Sequence, residues 1–505
     1  MPEKIWIIMG LLGQGTFLGW FLLRWVTYKP IDGGGVPLPF RYLAILGGGL
    51  LLSYVIYRRY SVFALGQAAV LAFYFCGLWV LEKEKFLRPG PERRKLLKEC
   101  AIRGAFLLAF VSVLCLFGWR LHEPIEMYYD EVYHRARARA ILGIGPWISS
   151  HPPLTNMLIA LSISLFGDHP AAWRLPFLLT KVGTIFLAGA IAAQLTGRYR
   201  TAALTVFLLT FNGLSITQAR IALIDPPMIF FSFLSLYLLL PHVVHRKGSR
   251  RLVLLMSGTF FGLAMATKLV AVSMLVPISL FLAHLYKRSE DKRAVSDEIA
   301  FSYIVIPVLV WVMCYIWVGL AVHKPIYEIL KDHVDFLIRH HVFLKTGHNQ
   351  SSPWWTWPFV IRPHWYYWAQ IGTDLYVGIV NWGNILIFWL IPLTFLYMIW
   401  RWFRGRSFVA WVVTVGFLAQ WLIYVPLARV KFFYYFDLAM PFVALATALF
   451  LERIYRIPWI GKAAVAFYML AVVIVFADWY PLLTGCPVTL DFYNRHMWLA
   501  SWRWL

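Results

Sequence analysis

The chain has 505 residues, of which 60% are hydrophobic, 18% are aromatic and only 14% are charged, whereas soluble domains carry about 25% charged residues. Apolar runs long enough to cross a hydrocarbon core of about 30 Å recur from end to end, which excludes a soluble protein and predicts a polytopic all-α membrane protein. The net charge of +23 collects in short clusters between apolar runs, so we expect no nucleic-acid partner.

The apolar runs predict about eleven to fourteen transmembrane helices. The predicted spans are 5–24, 40–57, 62–81, 104–119, 173–195, 201–217, 226–242, 252–266, 269–285, 300–321, 377–400, 408–425, 432–450 and 463–480. From residue 83 onward, basic clusters such as 245–251 and 401–406 fall at alternate ends of successive spans. We therefore expect these clusters in the cytoplasm and the segments 120–172 and 322–376 on the outer face.

The predicted transmembrane helices and loops divide the chain into three parts. Residues 1–103 are expected to hold extra N-terminal transmembrane segments and a basic cytoplasmic loop. Residues 104–321 are expected to form a transmembrane catalytic module with the outer loop 120–172, which contains juxtamembrane helices. Residues 322–505 are expected to hold an aromatic outer loop and the C-terminal transmembrane region.

The loop 120–172 carries an adjacent acid pair, Asp130 and Glu131, at a predicted membrane edge. A partly desolvated carboxylate can act as a general base, while the alternative is a pair of solvated acids in an interfacial loop. Arg135 and Arg139 follow on one helix face, where they can contact lipid headgroups or a donor phosphate. The resulting hypothesis is a reaction site at the membrane surface.

Other charged residues fall at the same predicted face. His151 lies in "SHPPL", a rigid turn, and Arg174 opens the next span as an interfacial anchor or an anion ligand. Asp225 lies between two apolar spans, where an ionisable residue indicates function.

Three more cations lie at predicted outer edges, against the positive-inside trend. Lys268, Arg429 and Lys431 are either interfacial anchors or ligands of a lipid phosphate. Their convergence on one face favours a phosphate site.

The segment 332–370 is rich in aromatic residues and histidine. Its aromatic rings suit a membrane-interface belt or a stacking platform for a sugar or a polyprenyl chain. The histidines do not have the spacing of a metal motif, and we expect no metal there; they are His333, His340, His341, His348 and His364.

Several of these stretches together resemble the protein O-mannosyltransferases of the GT-C superfamily of membrane glycosyltransferases. The resemblance runs from about Arg103 to about Pro441. Its carriers are "YYDEVYH", "SHPPL", "RLP", "ALIDPPMIFF", "GLAMATKLV", "GHNQSSPWWTWPFVIRPHWYY", "WGN" and "RVKFFYYFDLAMPF". The Ser-Pro-Trp to Tyr-Tyr block is the most specific of them.

The resemblance implies a GT-C fold and an inverting transfer of mannose from a polyprenyl-phosphate donor to Ser or Thr of secreted or membrane proteins. It implies that Asp130 is the catalytic base and that Glu131 positions acceptor or donor, so both are expected to be catalytic. Candidates for the donor phosphate are Arg174, Lys268, Arg362, Arg429 and Lys431. Candidates for substrate binding are His151, Asp225, Trp354, Trp355 and Tyr366.

We expect the active site on the extracytoplasmic face of the plasma membrane, because both substrates arrive there. No cofactor is expected, and a divalent cation is an alternative that we do not favour, since the leaving phosphate is already anionic. Unlike the eukaryotic enzymes, the chain has no room in its outer loops for a large soluble domain. The alternative functions are transfer to a lipid or cell-surface glycan, as in aminoarabinose transferases, and membrane transport without chemistry.

Overall fold

The computed structural model describes residues 91–148, 150–245, 248–339, 347–427 and 429–504, with side chains from residue 104 onward except that of His245. The chain divides into two compact units, residues 1–109 and 110–505, and every contact discussed below lies within the second. The predicted spans 5–24, 40–57 and 62–81, and also His340 and His341, lie outside the described residues.

Helices account for most of the described chain. They are α1 (Pro91–Gly118), α2 (Glu131–Ile141), α3 (Leu154–Phe166), α4 (Pro170–Thr196), α5 (Tyr199–Thr210), α6 (Gly213–Ala219), α7 (Asp225–His245), α8 (Arg250–Met265), α9 (Leu275–Arg288), α10 (Lys292–Ala300), α11 (Ile306–Ala321), α12 (Ile326–Ile338), α13 (Ile385–Phe388), α14 (Ile391–Gly405), α15 (Phe408–Leu422), α16 (Met440–Tyr455), α17 (Gly461–Thr484) and α18 (Leu490–His496). Short 3-10 turns cover Leu269–Met274, Trp354–Phe359, Phe433–Ala439 and Ala500–Trp502, and a π-helical turn covers Phe301–Val305.

Within the described ranges, seven helical segments are long and apolar enough to cross a membrane. They are Pro170–Thr196, Asp225–Val244, Leu269–Arg288, Lys292–Ala321, Ile385–Gly405, Phe433–Tyr455 and Gly461–Thr484. The pair α5 and α6 is an eighth candidate, bent by 68°. The predicted helical multi-pass architecture is therefore confirmed, and α2 and α3 form the helices expected in the outer loop.

Four predicted spans differ in detail. The spans 252–266 and 408–425 coincide with helices shorter than 18 residues, and the span 104–119 coincides with the apolar part of the longer helix α1. The span 377–400 is wrong at its start, because Leu375–Asn381 forms a strand and the helix begins only at Ile385.

The sequence analysis did not predict a small antiparallel sheet. Its strands β1 (His364–Gln370), β2 (Leu375–Asn381) and β3 (Pro487–Thr489) lie in the order β1-β2-β3. Gly378 pairs with Trp368, and a Cβ at Gly378 would lie only 2.6 Å from the Trp368 ring. The missing side chain lets this tryptophan lie across the ladder, so the sheet tolerates a glycine that would otherwise weaken it.

The segment Phe433–Tyr455 is the most deeply buried of the candidate spans. Its 3-10 turn is joined to α4 by an ion pair between Lys181 and Asp437, and neither side chain is more than 3% exposed. A charge in this apolar setting requires a partner, since an unpaired buried charge is strongly unfavourable. The pair therefore fixes the turn that carries Tyr434 and Tyr435, two residues of the site described next.

Candidate active site

The loop that leads into α2 is held by a buried ion pair. Arg174 and Glu131 are both 0% exposed, and the guanidinium donates to both carboxylate oxygens at 2.9 Å. Its remaining N–H groups donate to the carbonyls of Leu121, Pro124 and Glu126 at 2.9–3.1 Å. All five donors of a guanidinium are thereby used, so the predicted phosphate-binding role of Arg174 does not fit the structure.

Glu131 also differs from its predicted role. Its Oε1 accepts a further hydrogen bond from the Ala222 backbone N–H at 3.1 Å, and its Oε2 lies 3.4 Å from the Tyr128 backbone N–H. Both oxygens are therefore bound to protein groups in a fully buried position. This geometry fits a positioning residue and not one that meets a substrate.

A second arginine holds the other end of the same loop. Arg220 donates to the carbonyls of Phe117, Trp119 and Arg120 at 2.5–2.9 Å, and its own carbonyl accepts from the Tyr128 hydroxyl at 2.9 Å. The arginines at 174 and 220 together satisfy backbone carbonyls that no helix or strand would satisfy.

Asp130 lies at the end of this loop, directly before α2. Tyr129, directly before it, has a φ of 55°, a left-handed conformation that costs about 1 kcal/mol or more for a residue with a side chain. Burial raises the pKa of the Asp130 carboxyl to about 6, although the nearby positive charges of Lys268 and Arg137 oppose the shift. Such a carboxylate is ionised at neutral pH yet basic enough to accept a proton.

Asp225 and Lys268 form a buried pair beside Asp130. The Lys268 ammonium donates to Asp225 at 2.8 Å and lies 4.6 Å from the centre of the Tyr435 ring. The backbone N–H of Leu154 donates to the Ala266 carbonyl at 3.0 Å, which brings the His-Pro-Pro turn next to the lysine. The two motifs, far apart in sequence, thus meet at one site.

His151 lies among these cations. Burial, followed by the positive charge of Lys268, lowers the pKa of His151 well below its usual value. The imidazole is therefore neutral at physiological pH. A neutral ring can orient a substrate by hydrogen bonding without adding to the positive charge.

Arg429 also contacts Tyr435. It donates to the Tyr435 hydroxyl, and its guanidinium lies 5.5 Å from the centre of that ring. The Arg429 Nε–H is buried and has no acceptor among the described residues. Burial and the charge of Arg429 lower the pKa of the half-buried Lys431 ammonium, so an anion bound here would stabilise both cations.

Aromatic rings wall the site. The Tyr129 ring centre lies 4.9 Å from that of His364, 5.1 Å from that of Tyr366 and 6.0 Å from that of Tyr434. Gln218 donates to the Tyr366 hydroxyl at 3.1 Å. In the described part of the chain, neither ring nitrogen of His364 has a hydrogen-bond partner. This wall offers apolar faces and polar edges, the surface that a sugar ring requires.

Three predicted residues make no hydrogen bond, ion pair or ring contact with Asp130 or Lys268 in the described ranges. Trp354 packs against Trp421 with ring centres 5.3 Å apart, and Trp355 is 58% exposed. Arg362 is half-buried. In the ranges that the structure covers, no ion pair or hydrogen bond joins its side chain to the acid cluster, which consists of Asp130 and Asp225 with Lys268. The functional roles of these three residues stay predictions.

Two of the outer-loop arginines lie beside the carboxylate of Asp168. Arg135 donates to Asp168 at 2.8 and 2.7 Å, and Arg139 lies 3.6 Å from the same side chain. Within the described ranges, no group of three or more His, Cys, Asp or Glu side chains is arranged to hold a metal ion.

Sequence reasoning missed several residues of the site. His134 lies one turn after Asp130 and pairs with Asn156 on α3 at 3.2 Å, and burial lowers its pKa to about 3. Tyr434 and Tyr435 were visible only as part of an aromatic run. The signal for them was the nearby Asp437, an acid inside an apolar span.

Comparisons with known proteins bear on the whole described region. Residues 107–326 match the family model "Dolichyl-phosphate-mannose-protein mannosyltransferase", and residues 329–502 match "C-terminal four TMM region of protein-O-mannosyltransferase". Residues 9–79, outside the described part, match "Lipid A Biosynthesis N-terminal domain".

Curated relatives carry the name polyprenol-phosphate-mannose–protein mannosyltransferase. The protein of that name from Mycobacterium tuberculosis is 25% identical over 477 residues, covering 79% of this chain and 90% of that protein. The one from Mycolicibacterium smegmatis is 26% identical over 450 residues, covering 74% of this chain and 87% of that protein.

Solved structures share the fold at low sequence identity. The S. cerevisiae protein O-mannosyltransferase Pmt1-Pmt2 complex bound to the sugar donor matches with a TM-score of 0.70 and 12% identity, covering 80% of this chain and 93% of that chain. ArnT from Cupriavidus metallidurans bound to undecaprenyl phosphate matches with a TM-score of 0.51 and 17% identity, covering 75% of this chain and 71% of that chain. The chain belongs to the protein O-mannosyltransferase family and is a membrane glycosyltransferase with the GT-C fold.

Proposed function

We propose that the protein transfers mannose from a polyprenyl-phosphate-mannose donor to Ser or Thr hydroxyls of secreted or membrane proteins, with inversion. The observation that carries the proposal is the meeting of Asp130 with Lys268 and Arg429 in one aromatic-walled cluster. The sugar and the donor come from the names of the mycobacterial relatives. The undecaprenyl phosphate in the ArnT structure supports a lipid-phosphate leaving group.

Asp130 acts as the general base. The acceptor hydroxyl gives its proton to the Asp130 carboxylate as its oxygen attacks C1 of mannose, and the bond from C1 to the phosphate oxygen breaks. One displacement from the face opposite the phosphate inverts C1. The raised pKa of Asp130, about 6, suits this task because a base works best when its pKa lies near the operating pH.

The cations stabilise the leaving group. The donor is a phosphodiester, and the polyprenyl phosphate released from it gains one negative charge as the bond breaks. Arg429 and Lys431, together with Lys268, supply fixed positive charge at that point. Preorganised charge of this kind lowers the barrier without reorganisation during the reaction. We infer that these side chains make a divalent cation unnecessary.

The active site faces the extracytoplasmic side of the plasma membrane in this proposal. The support is the distribution of basic clusters, which the positive-inside rule assigns to the cytoplasm. Acceptor proteins then reach Asp130 from outside, and the donor lipid reaches it from the bilayer.

An in vitro transfer assay tests the acceptor class. Purified protein with labelled polyprenyl-phosphate-mannose is expected to label a Ser/Thr peptide, both with and without excess EDTA. The same peptide with Ala in place of Ser and Thr is expected to remain unlabelled. In sealed right-side-out vesicles an impermeant peptide is expected to be labelled. Labelling of a lipid acceptor but of no peptide would favour the alternative function, to which the lipid A match of residues 9–79 points.

Substitution of the two adjacent acids separates chemistry from positioning. Asp130→Asn is expected to lower kcat by at least about 100-fold with an unchanged Tm, because the Asp130 side chain makes no hydrogen bond within the described part of the chain and does not cap α2. Glu131→Gln is expected to lower the Tm as well, since breaking one partner of a buried pair costs about 3–5 kcal/mol. Near-normal turnover of folded Asp130→Asn protein would remove this residue as the base.

The rate is expected to depend on pH through Asp130. Above about pH 6 the carboxyl is ionised and can accept the proton; below it, kcat/KM is expected to fall about tenfold per pH unit as the carboxyl binds a proton first. The Tm measured over the same range serves as the control for unfolding. A flat profile between pH 5 and pH 8 would contradict the assignment.

The phosphate site is tested by donor kinetics. Arg429→Gln and Lys431→Gln are each expected to raise the donor KM or lower kcat, with a loss in donor kcat/KM of about tenfold or more, because a hydrogen bond to a charged group contributes about 1.5–3 kcal/mol. The acceptor KM should be nearly unchanged. Arg495→Gln, at an exposed arginine of α18, is the matched control. Unaltered donor kinetics in both variants would refute the site.

A further inference from the structure

A cavity of about 420 Å³ lies where three helices end. Its charged lining consists of Arg198, Arg401, Arg404, Arg453, Arg456 and Glu452. Arg198 follows the C-terminal end of α4, the arginines at 401 and 404 lie at the end of α14, and those at 453 and 456 lie at the end of α16. We call this cavity the arginine pocket.

The arginine pocket is far from the acid cluster. Tyr434 and Tyr435 lie at the start of the candidate span Phe433–Tyr455, whereas Arg453 lies at its other end, and the span has 23 residues. At a rise of about 1.5 Å per residue the two ends are separated by roughly 30 Å, the thickness of a hydrocarbon core. The pocket and the cluster therefore belong to opposite surfaces of the membrane.

The pocket carries unbalanced positive charge. Glu452 accepts from Arg198 at 2.9 Å, and in the ranges described no carboxylate forms an ion pair with the other four arginines. The lining thus has a formal excess of four positive charges. The three helix C-termini carry a partial negative charge of about half a unit each, and so offset only about 1.5 of these four positive charges. An anion would therefore stabilise the pocket.

The chemistry of the lining indicates a phosphate. A guanidinium group can donate two parallel hydrogen bonds to two oxygens of one phosphate. Basic pockets between transmembrane helices bind the headgroups of anionic lipids. The aromatic part of the lining is Tyr397 and Trp400, and Trp400 is 57% exposed. A tryptophan at the end of a span is typical of the headgroup level of a bilayer.

We propose that the arginine pocket binds the phosphate headgroup of an anionic membrane lipid, in the leaflet opposite the active site. The site takes no part in the transfer reaction, and its occupancy is measured without an activity assay. The lipid source is favoured over free phosphate because the pocket lies beside the exposed Trp400 and at the level where spans end.

The test uses the full-length protein, delipidated in neutral detergent. Native mass spectrometry and the Tm are recorded with added phosphatidylglycerol, phosphatidylcholine or inorganic phosphate. Phosphatidylglycerol is expected to remain bound and to raise the Tm, whereas phosphatidylcholine is expected to do neither. A Tm increase with inorganic phosphate equal to that with phosphatidylglycerol would overturn the lipid assignment.

Variants locate the site. Arg404→Gln changes an exposed side chain and so should fold; it is expected to weaken phosphatidylglycerol binding by about tenfold, as expected for one charge-assisted contact. The double variant with Arg456→Gln is expected to abolish binding. Arg293→Gln, at an exposed arginine of α10 outside the pocket, is the matched control and is expected to bind as the wild type does. Unchanged binding in Arg404→Gln and in the double variant would overturn the proposal.

Discussion

The ion pair between Arg174 and Glu131 is the interaction on which the candidate active site depends. Both side chains are fully buried, and either charge without the other would be strongly unfavourable there. The arginine also binds three carbonyls of the loop that enters α2, so the loop cannot move without exposing a buried charge. That loop carries Tyr129 in its left-handed conformation directly before Asp130. In the proposed mechanism the two adjacent acids thus have different tasks: Glu131 fixes the loop, and Asp130 accepts the proton.

The cations of the site differ in their partners. Lys268 is balanced by Asp225 at 2.8 Å. Arg429 and Lys431 form no ion pair with a carboxylate among the described residues. A site built this way is incomplete until an anion arrives, and a lipid phosphate is the anion that a bilayer supplies. In the proposed extracytoplasmic orientation, the same phosphate explains why positive charge persists at a face where the positive-inside rule disfavours it.

The sequence predicted the helical membrane architecture because spans are read from apolar length alone. It also singled out Asp130, Asp225, Lys268 and Arg429, since scarce charges at membrane edges stand out, and their roles stay predictions. It could not predict that Glu131 is fully buried, because burial depends on what packs from elsewhere; here Arg174 comes from 43 residues away. The strand at Leu375–Asn381 was misread as part of a span because a buried strand and a membrane helix are both continuously apolar. Lys181 and Asp437, 256 residues apart, showed no link in the sequence.

In the proposed mechanism the cations around Tyr435 bind the donor phosphate, and Asp130 faces C1 of mannose from the acceptor side. The decisive measurement is a cryo-EM structure of the protein with polyprenyl-phosphate-mannose bound. We expect phosphate oxygens within about 3 Å of Arg429 and Lys431, with C1 of mannose turned toward Asp130 and the sugar against Tyr129 and Tyr366. A donor phosphate bound away from these cations, with Asp130 remote from C1, would contradict it.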